Sequence, residues 1–139
     1  MPMKLFDKTT SLLQRVMDLR VQNQQVIAGN VANANTPGYT PVRLEFEKNL
    51  REAVNSSANA FTGGATHPAH FAMGGGGEIE KVQATVIRAR PSTAIGDGNE
   101  VDINQEMVLL SENEILYEAA SQMLTKKLGL VKYIAQETK

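Results

Sequence analysis

Cysteine and tryptophan are absent from this 139-residue chain, and aromatic residues are scarce, with four Phe and three Tyr. Without cysteine, the chain can form neither a disulfide framework nor a thiolate metal site. No apolar run is long enough to cross a bilayer. A formal net charge of -1 leaves no basic excess to neutralise phosphates, which argues against a nucleic-acid-binding protein. We therefore expect neither nucleic acid contacts nor direct membrane insertion.

Residue patterns suited to catalysis or metal binding are also missing. The two histidines, His67 and His70, are close in sequence, but the nearest following carboxylate, Glu78, lies beyond four glycines. A stable metal site needs further ligands on a rigid frame. Neither histidine has a serine and a carboxylate placed to form a catalytic triad. We expect no catalytic residues, no cofactor and no bound metal, with a small helical enzyme only as a distant alternative.

Apolar residues recur every seven positions at both ends of the chain, which is typical of long amphipathic helices that pack as a coiled coil. One such segment covers residues 4–35, and the other covers residues 97–139. Neither stripe can be buried by its own helix, so each segment needs the other as a partner. The residues predicted to form the helix interface are Leu12, Leu19, Val26, Leu110, Leu116, Tyr117, Met123, Leu124 and Val131.

The second helical segment carries signals of its start and its direction. Asp102 is a plausible N-terminal cap, and Gln105 follows it at the spacing of a capping box. Acidic side chains occupy the first half of the segment, and Lys126, Lys127 and Lys132 occupy the second half. Both placements stabilise a helix dipole, which supports a single helix.

The middle of the chain differs in composition from both ends. Residues 54–96 contain seven of the eleven glycines and only five charged side chains. Within them, the β-branched stretch Val82–Ile87 is suited to a short strand. The sequence therefore predicts a mainly α protein: two long terminal helices paired like a coiled coil, with a Gly-rich, partly disordered middle that contains at most short β segments. The predicted divisions are residues 1–35, the first helix; 36–53, a Pro-Gly turn and the segment after it; 54–96, the flexible loop; and 97–139, the second helix.

The first helix ends in a segment rich in asparagine, a residue that is unfavourable within helices because its amide competes for backbone hydrogen bonds. Pro37 forces the helix to end close to Asn35, and Gly38 suits the turn that follows. The signature residues of this segment are Asn30, Asn33, Asn35, Thr36, Pro37, Gly38 and Tyr39.

This segment resembles the N-terminal signature of the flagellar axial proteins, which are the subunits of the bacterial flagellar rod and hook. Residues 113–120 are similar to the Tyr-Glu-Ala segment of the family's second helix. The chain is too short for the large inserted domains of hook and distal-rod subunits. Residues 20–28, 66–70 and 91–99 are similar to one of the two short proximal-rod subunits. The other short subunit, and a helical export adaptor or chaperone, remain alternatives.

The resemblance implies a structural subunit of the proximal rod of the basal body, which polymerises through its terminal helices and transmits torque. The implied partners are copies of itself, other rod subunits, membrane-ring and rod-adaptor proteins at the rod base, and the flagellar type III export apparatus. The implied location is the periplasmic rod. Residues 1–8 lack the apolar core of a secretory signal, so we expect export without a cleaved signal peptide.

The family also carries a Phe-x-x-x-hydrophobic export element shortly after the Asn-rich turn. Phe46 and Leu50 match that spacing and position, and they are the candidates for recognition by the export gate. The same spacing is typical of an amphipathic turn that packs both side chains on one face, and both interpretations remain open.

Overall fold

A computed structural model describes residues 8–59, 77–88 and 101–137 of the chain. The two terminal helices are the longest elements, which confirms the mainly α fold class predicted from the sequence. In chain order the elements are α1 (Lys8–Ala32), β1 (Val42–Glu45), α2 (Glu47–Asn59), α3 (Gly77–Glu80), β2 (Thr85–Arg88) and α4 (Ile103–Glu137).

The helices α1 and α4 pack side by side in antiparallel directions. Asn30, near the end of α1, bonds to Glu106, near the start of α4, and Asn23 bonds to Asn113. The 35 residues of α4 make it about 52 Å long, whereas the 25 residues of α1 span about 38 Å. At its start α4 is capped by the Asp102 carboxylate, which accepts a hydrogen bond from the Asn104 backbone N–H at 2.9 Å.

The strands β1 and β2 form a two-stranded antiparallel sheet in which Val42 lies opposite Arg88 and Glu45 lies opposite Thr85. The strand predicted within Val82–Ile87 is present as β2, which begins three residues later than the β-branched stretch. The sequence analysis missed β1, although its residues Val42, Arg43, Leu44 and Glu45 alternate between apolar and charged side chains. Four residues are the shortest stretch over which such an alternation indicates a strand.

A small apolar core lies between α1, α2 and the segment that precedes β2. Leu19, Phe46 and Val82 are buried in it, and four partly buried residues pack against them: Leu44, Leu50, Ala53 and Ala84. The spacing of Leu50 and Ala53 places both on one face of α2. This packing accounts for a helix that continues to Asn59, six residues into the segment whose composition predicts a flexible loop.

Other parts of that segment, including His67, His70 and the first three glycines of the Gly74–Gly77 run, lie outside the described residues. Within the described ranges, no helix combines the length and the apolar character needed to cross a membrane.

Candidate functional site

Asn30 is the centre of a buried hydrogen-bond network that joins the end of α1 to β1 and to α4. Its side-chain amide donates to the Val42 carbonyl at 2.8 Å and to Glu106 Oε2 at 3.1 Å. Its side-chain oxygen accepts from the Val42 N–H at 2.9 Å and from the Tyr39 hydroxyl at 3.1 Å. The Asn30 side chain therefore replaces a strand partner along one edge of β1, which explains why a fully buried asparagine occupies this helix position.

The Glu106 carboxylate is buried in the same network, with a relative exposure of 1%. Arg43 of β1 binds both of its oxygens: Nη1 donates to Oε2 at 2.8 Å, and Nη2 donates to Oε1. With the additional bond from Asn30, the carboxylate has three donors. A buried carboxylate is tolerated only when it is paired and hydrogen-bonded in this way.

A second polar contact between the helices lies seven residues away along each of them. Asn113 is buried, and its amide donates to the Arg20 backbone carbonyl at 2.9 Å. Its side-chain oxygen accepts from the Asn23 amide at 3.0 Å. Because asparagine and glutamate have no equally good partners one turn away, these two contacts favour one register of α1 against α4.

The rest of the Asn-rich segment shapes the end of α1. The Asn33 amide donates to the Gly29 carbonyl at 2.8 Å, and the Thr36 hydroxyl lies 3.3 Å from Asn33 Oδ1. Gly38 has a φ of 73°, which favours glycine because it has no Cβ. Asn35, Thr36 and Pro37 are exposed. The turn thus directs the chain back along α1, so that Tyr39 and β1 reach Asn30.

The comparisons with known proteins match this part of the molecule. A family model described as "Flagella basal body rod protein" matches residues 17–40, which include the C-terminal half of α1 and the Asn-rich turn. The chain is also similar along most of its length to proteins named "Flagellar basal body rod protein FlgB". The protein of Aeromonas hydrophila is 29% identical over 133 residues, which cover 95% of this chain and 96% of that protein. The protein of Escherichia coli (strain K12) is 29% identical over 129 residues, which cover 87% of this chain and 90% of that protein. The protein of Borrelia hermsii is 29% identical over 121 residues, which cover 83% of this chain and 86% of that protein.

The chain is therefore similar to flagellar basal body rod proteins, both in the segment that the family model matches and along most of its length. In this chain, the matched segment contains Asn23, Asn30 and Tyr39, which are members of the two polar contacts described above.

The structure brings some of the predicted interface residues together and leaves others apart. Leu19 is fully buried, and most of the other residues are half-buried along the contact between α1 and α4: Leu12, Val26, Leu110, Tyr117, Leu124 and Val131. Leu116 and Met123 are exposed in the isolated chain, at 38% and 60%. They lie on a different side of α4, which α1 does not cover.

Sequence reasoning missed the row of α4 that is buried most deeply. Glu106, Asn113 and Ala120 are seven residues apart and buried, although two of them are polar. A signal was available, because Asn23 and Asn30 on α1 have the same spacing. Arg43 was missed as well, since nothing in its local sequence indicates a distant carboxylate.

Of the candidate export residues, Phe46 immediately precedes α2 and Leu50 lies in its first turn. Phe46 is 3% exposed in the core of the folded chain, and Leu50 is partly buried against it. The Arg20 guanidinium lies 5.0 Å from the centre of the Phe46 ring and bonds to Glu47 at 2.7 Å. In the folded chain, both residues therefore act as packing residues.

Proposed function

We propose that this chain is a structural subunit of the proximal rod of the flagellar basal body, where it polymerises through its terminal helices and transmits torque. The observation that carries the proposal is the antiparallel pairing of α1 and α4, held in register by buried polar contacts to which the family segment contributes Asn23 and Asn30. Such a pair forms a stiff rod-like element, in which torque is carried by packed side chains without any chemical step. We propose no enzymatic activity, no cofactor and no metal.

The surface of α4 supports assembly with neighbouring subunits. Its side facing away from α1 exposes large apolar residues, among them Val108, Ile115, Met123 and Leu130. Exposed apolar patches of this kind mark interaction sites. Contacts between different surfaces of successive subunits do not close on themselves, and they therefore build an open helical tube.

The similarity to flagellar basal body rod proteins supports assembly with other rod components, and the specific partners are part of the proposal. They are copies of this chain, other proximal-rod subunits, membrane-ring and rod-adaptor proteins, and the type III export apparatus. The proposed location is the periplasmic rod. A role as the other short proximal-rod subunit is the second candidate, whereas an export adaptor would not need the Asn-rich turn.

Substitutions on α4 test the role in the rod. Leu124→Asp places a charge against α1, and Leu116→Asp places one on the exposed side. We expect both to abolish swimming and to leave basal bodies without a rod in electron micrographs, whereas purified Leu116→Asp protein should keep its helical circular dichroism spectrum. Thr125→Asp, at an exposed position between the two faces, is the control and should swim normally. Normal rods in cells that lack this chain would refute the proposal.

The export element is the second part of the proposal. Because Phe46 is buried in the folded chain, the export gate can bind Phe46 and Leu50 only while the chain is unfolded. We expect Phe46→Ala combined with Leu50→Ala to retain the subunit in the cytoplasm of cells blocked at rod completion. The matched control is Leu44→Ala with Val82→Ala, which weakens the same core without changing the element. If both double variants are secreted to the same extent, Phe46 and Leu50 have no role in export and only pack in the core.

A further inference from the structure

The side of α4 that faces away from α1 carries a continuous stripe of exposed positions. Four large apolar residues are prominent in it: Val108 is 65% exposed, Ile115 67%, Met123 60% and Leu130 64%. With about 100° of rotation per residue, they fall within an arc of about 80°, well away from the α1-facing row. We define the outer stripe as Val108, Glu112, Ile115, Ala119, Met123, Lys126 and Leu130, all of which are exposed.

The outer stripe is symmetric about Ala119 in both spacing and character. Ile115 and Met123 lie four residues on either side of Ala119, and Val108 and Leu130 lie eleven residues on either side. If two copies of α4 cross in antiparallel directions at Ala119, each apolar residue of one copy faces an apolar residue of the other. The small side chain at the crossing point allows the two helices to approach closely.

Charge selects the antiparallel arrangement. Glu112 and Lys126 lie seven residues on either side of Ala119, so an antiparallel pair places each Glu112 opposite a Lys126. A parallel pair would place Glu112 opposite Glu112 and Lys126 opposite Lys126, and like charges at such positions are destabilising. The antiparallel pair therefore forms two ion pairs where the parallel pair has two repulsions.

The outer face of α1 does not offer an equivalent surface. Its outward positions include Gln14, Asp18, Gln22 and Gln25, all exposed, and Val21 is the exposed large apolar residue of this helix. Within the described residues, the surface that matches the outer stripe in length, apolar spacing and charge is the outer stripe of a second copy.

We propose that the free subunit forms a two-fold antiparallel dimer through the outer stripe of α4. This contact uses the same surface on both copies and closes on itself. It therefore covers the apolar face of α4 and keeps free subunits from open-ended growth until they reach the rod. The dimer goes beyond the proposed rod function, and its existence is measured on purified protein independently of any rod.

Single cysteines test the geometry, because the chain has no cysteine of its own. Under mild oxidation, Ala119→Cys should form a disulfide-linked dimer, since the two copies of this position meet at the crossing point. Val108→Cys should not link to itself, because its two copies lie about 33 Å apart along an antiparallel pair. Thr125→Cys, exposed but about 120° around the helix from Ala119, should not link either. Self-linking of Val108→Cys to the same extent as Ala119→Cys, or equal linking of Thr125→Cys, would overturn the proposal.

Charge reversal tests the pairing by sedimentation equilibrium of the full chain. Each of Glu112→Lys and Lys126→Glu should raise the dimer dissociation constant about tenfold, because each change replaces two ion pairs by two repulsions. The double variant, with both charges exchanged, should restore dimerisation to near the wild-type level. Both positions are exposed, and circular dichroism should show unchanged helix content. A wild-type chain that stays monomeric throughout the micromolar range, or a double variant no better than the single ones, would show that the outer stripe does not pair in this way.

Discussion

Asn30→Ala is the sharpest test of the buried network, because one side chain makes four hydrogen bonds there. The substitution leaves the Val42 N–H without its acceptor along the edge of β1. It also removes one of the three donors to the Glu106 carboxylate and the acceptor of the Tyr39 hydroxyl. The Val42 carbonyl keeps a longer contact to Arg43 Nη1 at 3.3 Å, so it is less affected.

The expected loss follows from these broken bonds. Leaving a buried polar group without a partner costs about 1–3 kcal/mol, and bonds to charged groups are at the upper end. Allowing for water that enters the space of the deleted amide, we expect the free energy of unfolding to fall by about 3 kcal/mol. This is a large fraction of the roughly 5–15 kcal/mol that is usual for a folded domain.

Urea unfolding of the full chain, followed by circular dichroism, measures this loss, and hydrogen exchange locates it. The Val42 amide should lose protection in Asn30→Ala. The matched control is Asn35→Ala, an asparagine of the same segment that is exposed and should change stability by less than about 0.5 kcal/mol. If the two variants unfold at the same urea concentration, the network does not stabilise the helix pair and its role in setting the register is refuted.

Three further substitutions probe the backbone at the helix ends. Gly38→Ala should lower stability by about 1 kcal/mol, because its φ of 73° is unfavourable for a residue with a Cβ. Gly29→Ala, within α1, should raise stability by about 0.5–1 kcal/mol, because an added Cβ meets no atom within 4 Å. Melting temperatures that shift in the same direction in Gly38→Ala and Gly29→Ala would contradict this reasoning. Asp102→Ala should cost about 1 kcal/mol by removing the cap of α4, while Asp102→Asn should retain most of the stability in the same melts.

The sequence predicted the terminal helices well because their stability rests on a repeating pattern. The spacing of seven between apolar residues is visible without knowledge of the partner helix. Asp102 indicates the start of α4 because its carboxylate caps the helix locally. The strand β2 was predicted in the same way from its β-branched residues. In contrast, α2 is a helix because Leu50 and Ala53 pack on a core formed by residues distant in sequence. Its second half has the composition of a loop, so the helix was not predicted from the sequence.

The buried network could be predicted only in part. The asparagines of α1 called for an explanation, since they oppose helix propensity. Their partners were not predictable from local sequence. Arg43 and Glu106 are ordinary charged residues in their own segments, and they become a buried pair only when the turn at Gly38 and the antiparallel packing of α4 bring them together.

The network also has a consequence for the order of folding. Its bonds to Glu106 join residues that are 63 and 76 positions apart, so their formation closes very long loops. Contacts of this separation form late and slow the folding rate. In the proposed export, a chain that leaves with its N-terminus first would expose Asn30 and Arg43 well before Glu106. The hydrogen-bond network around Asn30 would then form only after most of the polypeptide has emerged. This region of the chain would therefore remain unfolded during export.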